Sequence, residues 1–282
     1  MMNTTRIKSV AVIEVVLVRF VVFPLLFLLF TKLFPNFQTW QTERLGLPFP
    51  VSGHILMVVV SFFVLFVTKR NFASYGIKFR PLKYHLDITG TCFVPVVLAS
   101  IPFGLGIDYR NWGGAWIFAI VQVVLLFVLG RLLQKQPSAS QVSLLALGWI
   151  TIASGTVGQS IGKAFAEFVT YGVFVGFGEE IIFRGYMQSR LNEAFGRPYQ
   201  FFGIKYGWGI VIVSALFGLT HVGITTSLIT GQLNLYWAWG FWTFFGGLVF
   251  GLVREKSESI VAPALLHGLP QAVASAVMVM LP

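Results

Sequence analysis

The sequence predicts an all-α fold, a polytopic bundle of about eight or nine transmembrane helices, and three observations predict it. First, 56% of the 282 residues are hydrophobic and only 11% are charged, against roughly 25% charged in ordinary globular proteins. Second, windows of about 20 mostly apolar residues recur along the whole length, which is the signal of a helix crossing a bilayer. Third, the cations behind the formal charge of +10 lie mainly at the ends of those windows, where they fix topology and meet lipid headgroups. That distribution and the lack of a nucleic-acid motif exclude nucleic acid as a partner. The lipid bilayer is the expected one.

The first apolar stretch runs from Val10 to Phe30 after Arg6 and Lys8. Glu14 and Arg19 interrupt it and no small-residue cleavage site follows, so a retained helix is expected rather than a signal peptide. A second stretch covers His54–Val67. The most basic loop comes next, with Lys69, Arg70, Lys78, Arg80 and Lys83 against Asp87 alone. Further segments are expected at Ile88–Ile107, Ala115–Leu133, Val142–Gly162, Glu167–Leu191, Trp208–Ile229, Leu235–Val253 and Ile260–Leu281. A cytoplasmic 69–87 loop makes the N-terminus cytoplasmic too and puts Lys135, the Arg190–Lys205 loop and Arg254/Lys256 on the same side. The opposite loops, Asp108–Gly114 and Gly223–Asn234, are poor in Lys and Arg, as the positive-inside rule requires. No repeat or linker divides the chain, so residues 1–282 read as one integral membrane domain of a multi-pass cell-membrane protein. The single cysteine, Cys92, rules out an internal disulfide framework and reads as a small core residue.

Ionisable groups within hydrocarbon cost on the order of 3 kcal/mol each, so those inside expected spans demand a reason. Three late segments carry them: Glu179, Glu180 and Arg184 in "GFGEEIIFRG", His221 in "SALFGLTHVG", and His267 with Gln271 in "VAPALLHGLPQAV". Glu180 and Arg184 are four apart, as are Phe217 and His221, and His267 and Gln271. Each pair therefore shares a helix face. Glu179 is rotated by about 100° from Glu180, so the two carboxylates are expected to point to different places, one paired with Arg184 and the other free. A free carboxylate opposite a neutral imidazole in a partly dehydrated cavity can hold a water and take its proton. A second imidazole and an amide are donors suited to a developing oxyanion. These are the parts of peptide hydrolysis without a metal. Spacing alone does not choose between Glu179 and Glu180 as the base. His54 and His85 read as interfacial or structural residues. No H-E-x-x-H helix is present, and Arg184 beside the carboxylates repels a cation, so no metal and no cofactor are expected.

"EEIIFR" is similar to the EExxxR motif of the CPBP family of CAAX proteases and bacteriocin-processing proteins, also grouped with abortive-infection proteins. "FGLTH" resembles that family's FxxxH motif and "HGLPQ" its HxxxN motif, over about residues 165–281. The resemblance implies a glutamic intramembrane endopeptidase acting on a membrane-associated protein or peptide, such as a prenylated tail or a leader peptide. It implies that Glu179 and His221 activate the water, that Glu180 and Arg184 orient the site, and that His267 and Gln271 form the oxyanion hole. One departure stands out, because Gln271 occupies the family's Asn position. The added methylene moves the amide by about 1.5 Å, and a misplaced donor of that kind costs on the order of a hundredfold in rate. A non-catalytic membrane factor of the same family, for bacteriocin immunity or as a regulatory scaffold, is the alternative reading. A proton-coupled transporter ranks below both, since no inverted repeat is visible.

Overall fold

The computed structural model describes residues 4–135, 159–224 and 231–280. It is a helical bundle with one small hairpin, and its apolar helices make it a membrane protein. Helix α1 covers residues 4–33 without a break, passing through a π-helical turn at Val18–Val22. A short amphipathic helix α2, Phe37–Arg44, and then α3, Ser52–Val67, follow. Helix α4, Leu82–Ala99, starts directly after Pro81, and one further turn at Ile101–Gly104 extends it. Helix α5, Trp112–Gln134, is capped by Asn111, whose side chain accepts the Gly114 N–H at 2.8 Å; this satisfies one of the amides a helix start leaves unpaired. Helix α6 spans residues 159–195, and α7 (Trp208–His221), α8 (Trp237–Ser257) and α9 (Val261–Met280) complete the chain.

The helices at Thr5–Leu33, Leu82–Gly104 and Trp112–Gln134 are long and apolar enough to cross a membrane, and α3 and α7 are shorter apolar helices. Large apolar side chains such as Leu25, Phe63, Phe66 and Phe127 are exposed on these helices, the arrangement a lipid environment favours. Most expected spans coincide with helices to within a few residues. The expected Val142–Gly162 span falls mostly on residues 136–158, outside the described ones. Helix α2 was not expected, and neither was the hairpin of β1 (Tyr199–Phe201) and β2 (Ile204–Tyr206) inside the Arg190–Lys205 loop. Its two-residue turn places Phe202 and Gly203 at φ +47° and +80°, the left-handed conformation that tight hairpins require.

Two apolar cores hold the bundle. One unites α1, α3, α6 and α7 through Val15, Leu65, Ile182, Phe183, Met187 and Phe217. The other unites α4, α5, α8 and α9 through Ile88, Leu129, Val253, Ala262 and Leu266. Helix α6 packs along α9 at glycines. A Cβ on Gly176 would stand 2.6 Å from the Ala264 carbonyl oxygen, and one on Gly268 would stand 2.5 Å from that of Tyr171. Small residues let membrane helices approach this closely, and the approach brings side chains of the two cores within reach of each other.

Polar groups at one end of α6 anchor the neighbouring elements. Glu14 of α1 accepts hydrogen bonds from both terminal nitrogens of Arg70, from Arg190 Nε at 2.8 Å and from the Tyr186 hydroxyl at 2.9 Å. Four charge-assisted contacts on one carboxylate explain how α1 tolerates it. Tyr75, in the loop before α4, donates to Glu193 at 2.7 Å; burial and then that carboxylate push its hydroxyl pKa upward. Glu255 of α8 accepts from Gln188 at 2.8 Å, Asn192 at 2.5 Å and Arg197 at 2.6 Å. These contacts fix α6 in register against α1 and α8.

Candidate active site

Glu179 and Glu180 lie in the five-residue α-helical stretch Gly176–Glu180, with π-helical segments at Thr170–Val175 and Ile181–Gln188 on either side. A π turn closes its hydrogen bond between residues five apart and is frequent at functional sites. Here the two π segments give α6 a wider face at the carboxylates than a regular helix offers. On one side Gly178 admits His54 of α3: a Cβ there would stand 2.9 Å from His54 Cβ. On the other side Gly176 admits α9.

The expected ion pair is present and fully buried. Arg184 Nη1 donates to Glu180 Oε1 at 3.0 Å, with the two side chains 1% and 0% exposed. The guanidinium also donates to the Gly247 carbonyl at 3.2 Å and lies 4.6 Å from the Phe217 ring centroid. The charge is thus spread over a carboxylate, a carbonyl and a ring. Glu180 Oε1 accepts a second hydrogen bond, from His267 Nδ1 at 2.9 Å.

One imidazole reaches both carboxylates, although their rotation along the helix predicts separate partners. His267 Nε2 lies 3.8 Å from Glu179 Oε2 while its Nδ1 engages Glu180. An imidazole carries its nitrogens on two edges, so one ring entering from α9 straddles side chains that point apart on α6. Stacking on Phe250 at 4.7 Å and 12° holds the ring plane. Arg184 pairs with Glu180, as the spacing predicts, and His267 connects both carboxylates.

Glu179 is flanked on its other oxygen by His54, whose Nε2 lies 3.6 Å from Oε1. His54 is therefore part of the site and not the interfacial residue its position predicts. Both imidazole separations exceed a direct hydrogen bond and suit a small polar group held between the partners. His221 stands on α7 within electrostatic range of Glu179. Its Nδ1 meets the Phe217 carbonyl at 2.9 Å. A carbonyl only accepts, so Nδ1 carries the proton and Nε2 keeps its lone pair. Edge contacts with Phe217 at 4.5 Å and Trp239 at 5.3 Å orient the ring.

Gln271 is the sixth expected residue. It lies one turn beyond His267 on α9 and is exposed. The structure thus brings Glu179, Glu180, Arg184 and His267 into direct contact or near contact, with His221 on α7 within electrostatic range of Glu179 and Gln271 one turn beyond His267. Among the described residues no group of three His, Cys, Asp or Glu side chains is arranged to hold a metal ion. The signal for His54 was a polar residue at the start of an apolar span. Nothing local distinguishes it from an interfacial histidine, because its partner stands 125 positions further on.

In comparison with family models, residues 161–273 match the one described as Type II CAAX prenyl endopeptidase Rce1-like. No curated protein and no solved structure matches the chain.

Proposed function

We propose that the chain is a metal-independent glutamic endopeptidase working inside the membrane, a reading supported by the match of residues 161–273 to the Rce1-like type II CAAX prenyl endopeptidase model. The observation that carries this reading is the asymmetry between the buried Glu180 and the half-buried Glu179. Glu180 is held by Arg184 and His267, whereas Glu179 has no cation bonded to it and stands between imidazoles at 3.6 and 3.8 Å.

In this mechanism a water is held by Glu179 and by the lone pair of His221 Nε2. Its oxygen attacks the carbonyl carbon of the scissile peptide bond as Glu179 takes one proton. The tetrahedral oxyanion is stabilised by the imidazole N–H of His54, whose Nε2 lies 3.6 Å from Glu179, while the N–H of His267 is given to Glu180. Glu179 returns the proton to the leaving nitrogen as the C–N bond breaks, giving a carboxylate and an amine. Glu180 and Arg184 act through His267 and keep its ring facing Glu179. The substrate class is a membrane-associated, prenylated or leader-bearing polypeptide, presented from the cytoplasmic side that the N-terminus and the basic loop share.

The test is cleavage of a quenched, S-farnesylated CAAX peptide by the purified full chain in nanodiscs. Glu179→Gln, Glu180→Ala, His221→Ala and His267→Ala are each expected to abolish turnover while keeping the wild-type melting profile. Full turnover in all four variants would refute the mechanism. A second reading, a non-catalytic membrane factor, is favoured by Gln271, which is exposed at the position where the resembling family has asparagine. A Glu179→Gln variant that still restores the phenotype of a deletion strain would decide for it.

A further inference from the structure

Arg19 is the buried charge that the mechanism leaves unused. It lies on α1, outside the family match, in the π-helical turn Val18–Val22, and is 2% exposed. Its Cζ stands 4.7 Å from the ring centroid of Phe23, 5.6 Å from Phe20 and 5.8 Å from Phe183. Its Nε and Nη1 are buried without a hydrogen-bond partner among the described residues. Rings compensate a buried guanidinium only in part, and an intramembrane cation faces an anion by default.

Two carboxylates come into question. Glu14, five residues earlier on α1, is already bonded by Arg70, Arg190 and Tyr186. Glu179 is bonded by no cation among the described residues, and its Oε2 is buried without a hydrogen-bond partner. Phe183, the α6 ring against Arg19, stands one turn from Glu179, and Arg19 is within electrostatic range of that carboxylate and of His221. The other groups facing Glu179 are His54 on α3, Glu180 and Arg184 on α6, His221 on α7 and His267 on α9. With the imidazoles neutral, the two carboxylates of this set are balanced by Arg184 and Arg19 together. In a low-dielectric interior that balance acts beyond contact distance.

The separation also suits the chemistry. A guanidinium bonded to Glu179 would occupy its lone pairs, as Arg184 occupies one oxygen of Glu180. A cation held back among rings leaves the Glu179 oxygens to the water, while it favours the carboxylate anion and disfavours a proton on the His221 lone pair. We propose that Arg19 is a positioning residue for the water-activating pair: from α1 it holds Glu179 ionised and His221 neutral without bonding to either. The proposal rests on the protease reading and deepens it.

The first experiment needs no substrate. Melting of the full chain in detergent is followed for Arg19→Gln in the wild-type and in the Glu179→Gln background. Arg19→Gln is expected to lower Tm by several degrees where position 179 is a carboxylate, and to leave it level or raise it where that position is neutral. Folding in the neutral background alone is the same coupling in extreme form. An equal drop, or loss of the fold, in both backgrounds overturns the proposal and leaves the protease reading standing.

The second experiment is the pH profile of kcat/KM for the S-farnesylated CAAX peptide in nanodiscs. Protonation of either Glu179 or His221 disables the pair, so either one sets the acid limb. Without the cation both take up a proton more readily, and the limb is expected about one pH unit higher in Arg19→Gln and Arg19→Met. That is a loss of about tenfold on the limb and within about twofold on the plateau. Arg19→Lys keeps the charge and is expected to keep the wild-type limb. An unmoved limb in Arg19→Gln, or pH-independent losses of equal size in Arg19→Met and Arg19→Lys, assigns the residue to packing and overturns the proposal. Absence of cleavage by the wild type at every pH removes the protease reading and the proposal together.

Discussion

Replacing Gly176 by alanine tests whether the close packing of α6 on α9 sets the active geometry. The new Cβ would stand 2.6 Å from the Ala264 carbonyl oxygen and 3.1 Å from Gly268 Cα. Both are backbone atoms of α9 and neither can swing away. Ordinary contact begins near 3.4 Å, so the helices must part by about 0.8 Å at this level. His267 rides on α9 and donates to Glu180 at 2.9 Å; the same displacement stretches that bond toward about 3.7 Å, beyond hydrogen-bond range. A misplacement of about 1 Å costs on the order of a hundredfold in rate, and the overpacking itself costs about 1–3 kcal/mol. The control lies on the same helix face: a Cβ on Gly172 first meets Ala272 Cβ at 3.6 Å, an ordinary contact. Steady-state cleavage of the farnesylated peptide is therefore expected to show kcat of Gly176→Ala about a hundredfold below wild type, with Gly172→Ala within about threefold. A Gly176→Ala enzyme with wild-type kcat, or equal losses in both variants, would refute the coupling between helix spacing and the His267–Glu180 contact.

Two further outcomes follow from particular contacts. His54→Ala removes the imidazole 3.6 Å from Glu179, and kcat is expected to fall about ten- to a hundredfold with melting unchanged; His54→Gln, which keeps a donor, should recover part of the loss. Glu14→Gln leaves Arg70 and Arg190 facing a neutral amide. Because Glu14 keeps 22% of its side chain exposed, the expected cost is about 2–3 kcal/mol, below that of a fully buried pair, read as a Tm several degrees lower in detergent.

The helices were legible because apolar runs of membrane length need no tertiary information. The Glu180–Arg184 pair was legible for a similar reason, since a spacing of four puts two side chains on one face wherever the helix lies, and the contact is there at 3.0 Å. His221 and His267 were found because a polar residue within hydrocarbon has to be accounted for. What could not be read depends on neighbours distant in sequence. Glu179 and Glu180 were expected to serve separate places, and the ring of His267 from another helix joins them. His54 and Arg19 gave only weak local signals, one as a polar residue beginning a span and the other as an interruption in one. Their meaning arises from α3 and α1 packing on α6. The π-helical segments around the glutamates likewise have no signature in residue spacing.

His54, the imidazole 3.6 Å from Glu179, comes from a helix that precedes residue 161. The stretch that matches the family model therefore does not by itself furnish everything around this carboxylate, and a chain alike only over its late helices need not present the same surroundings there.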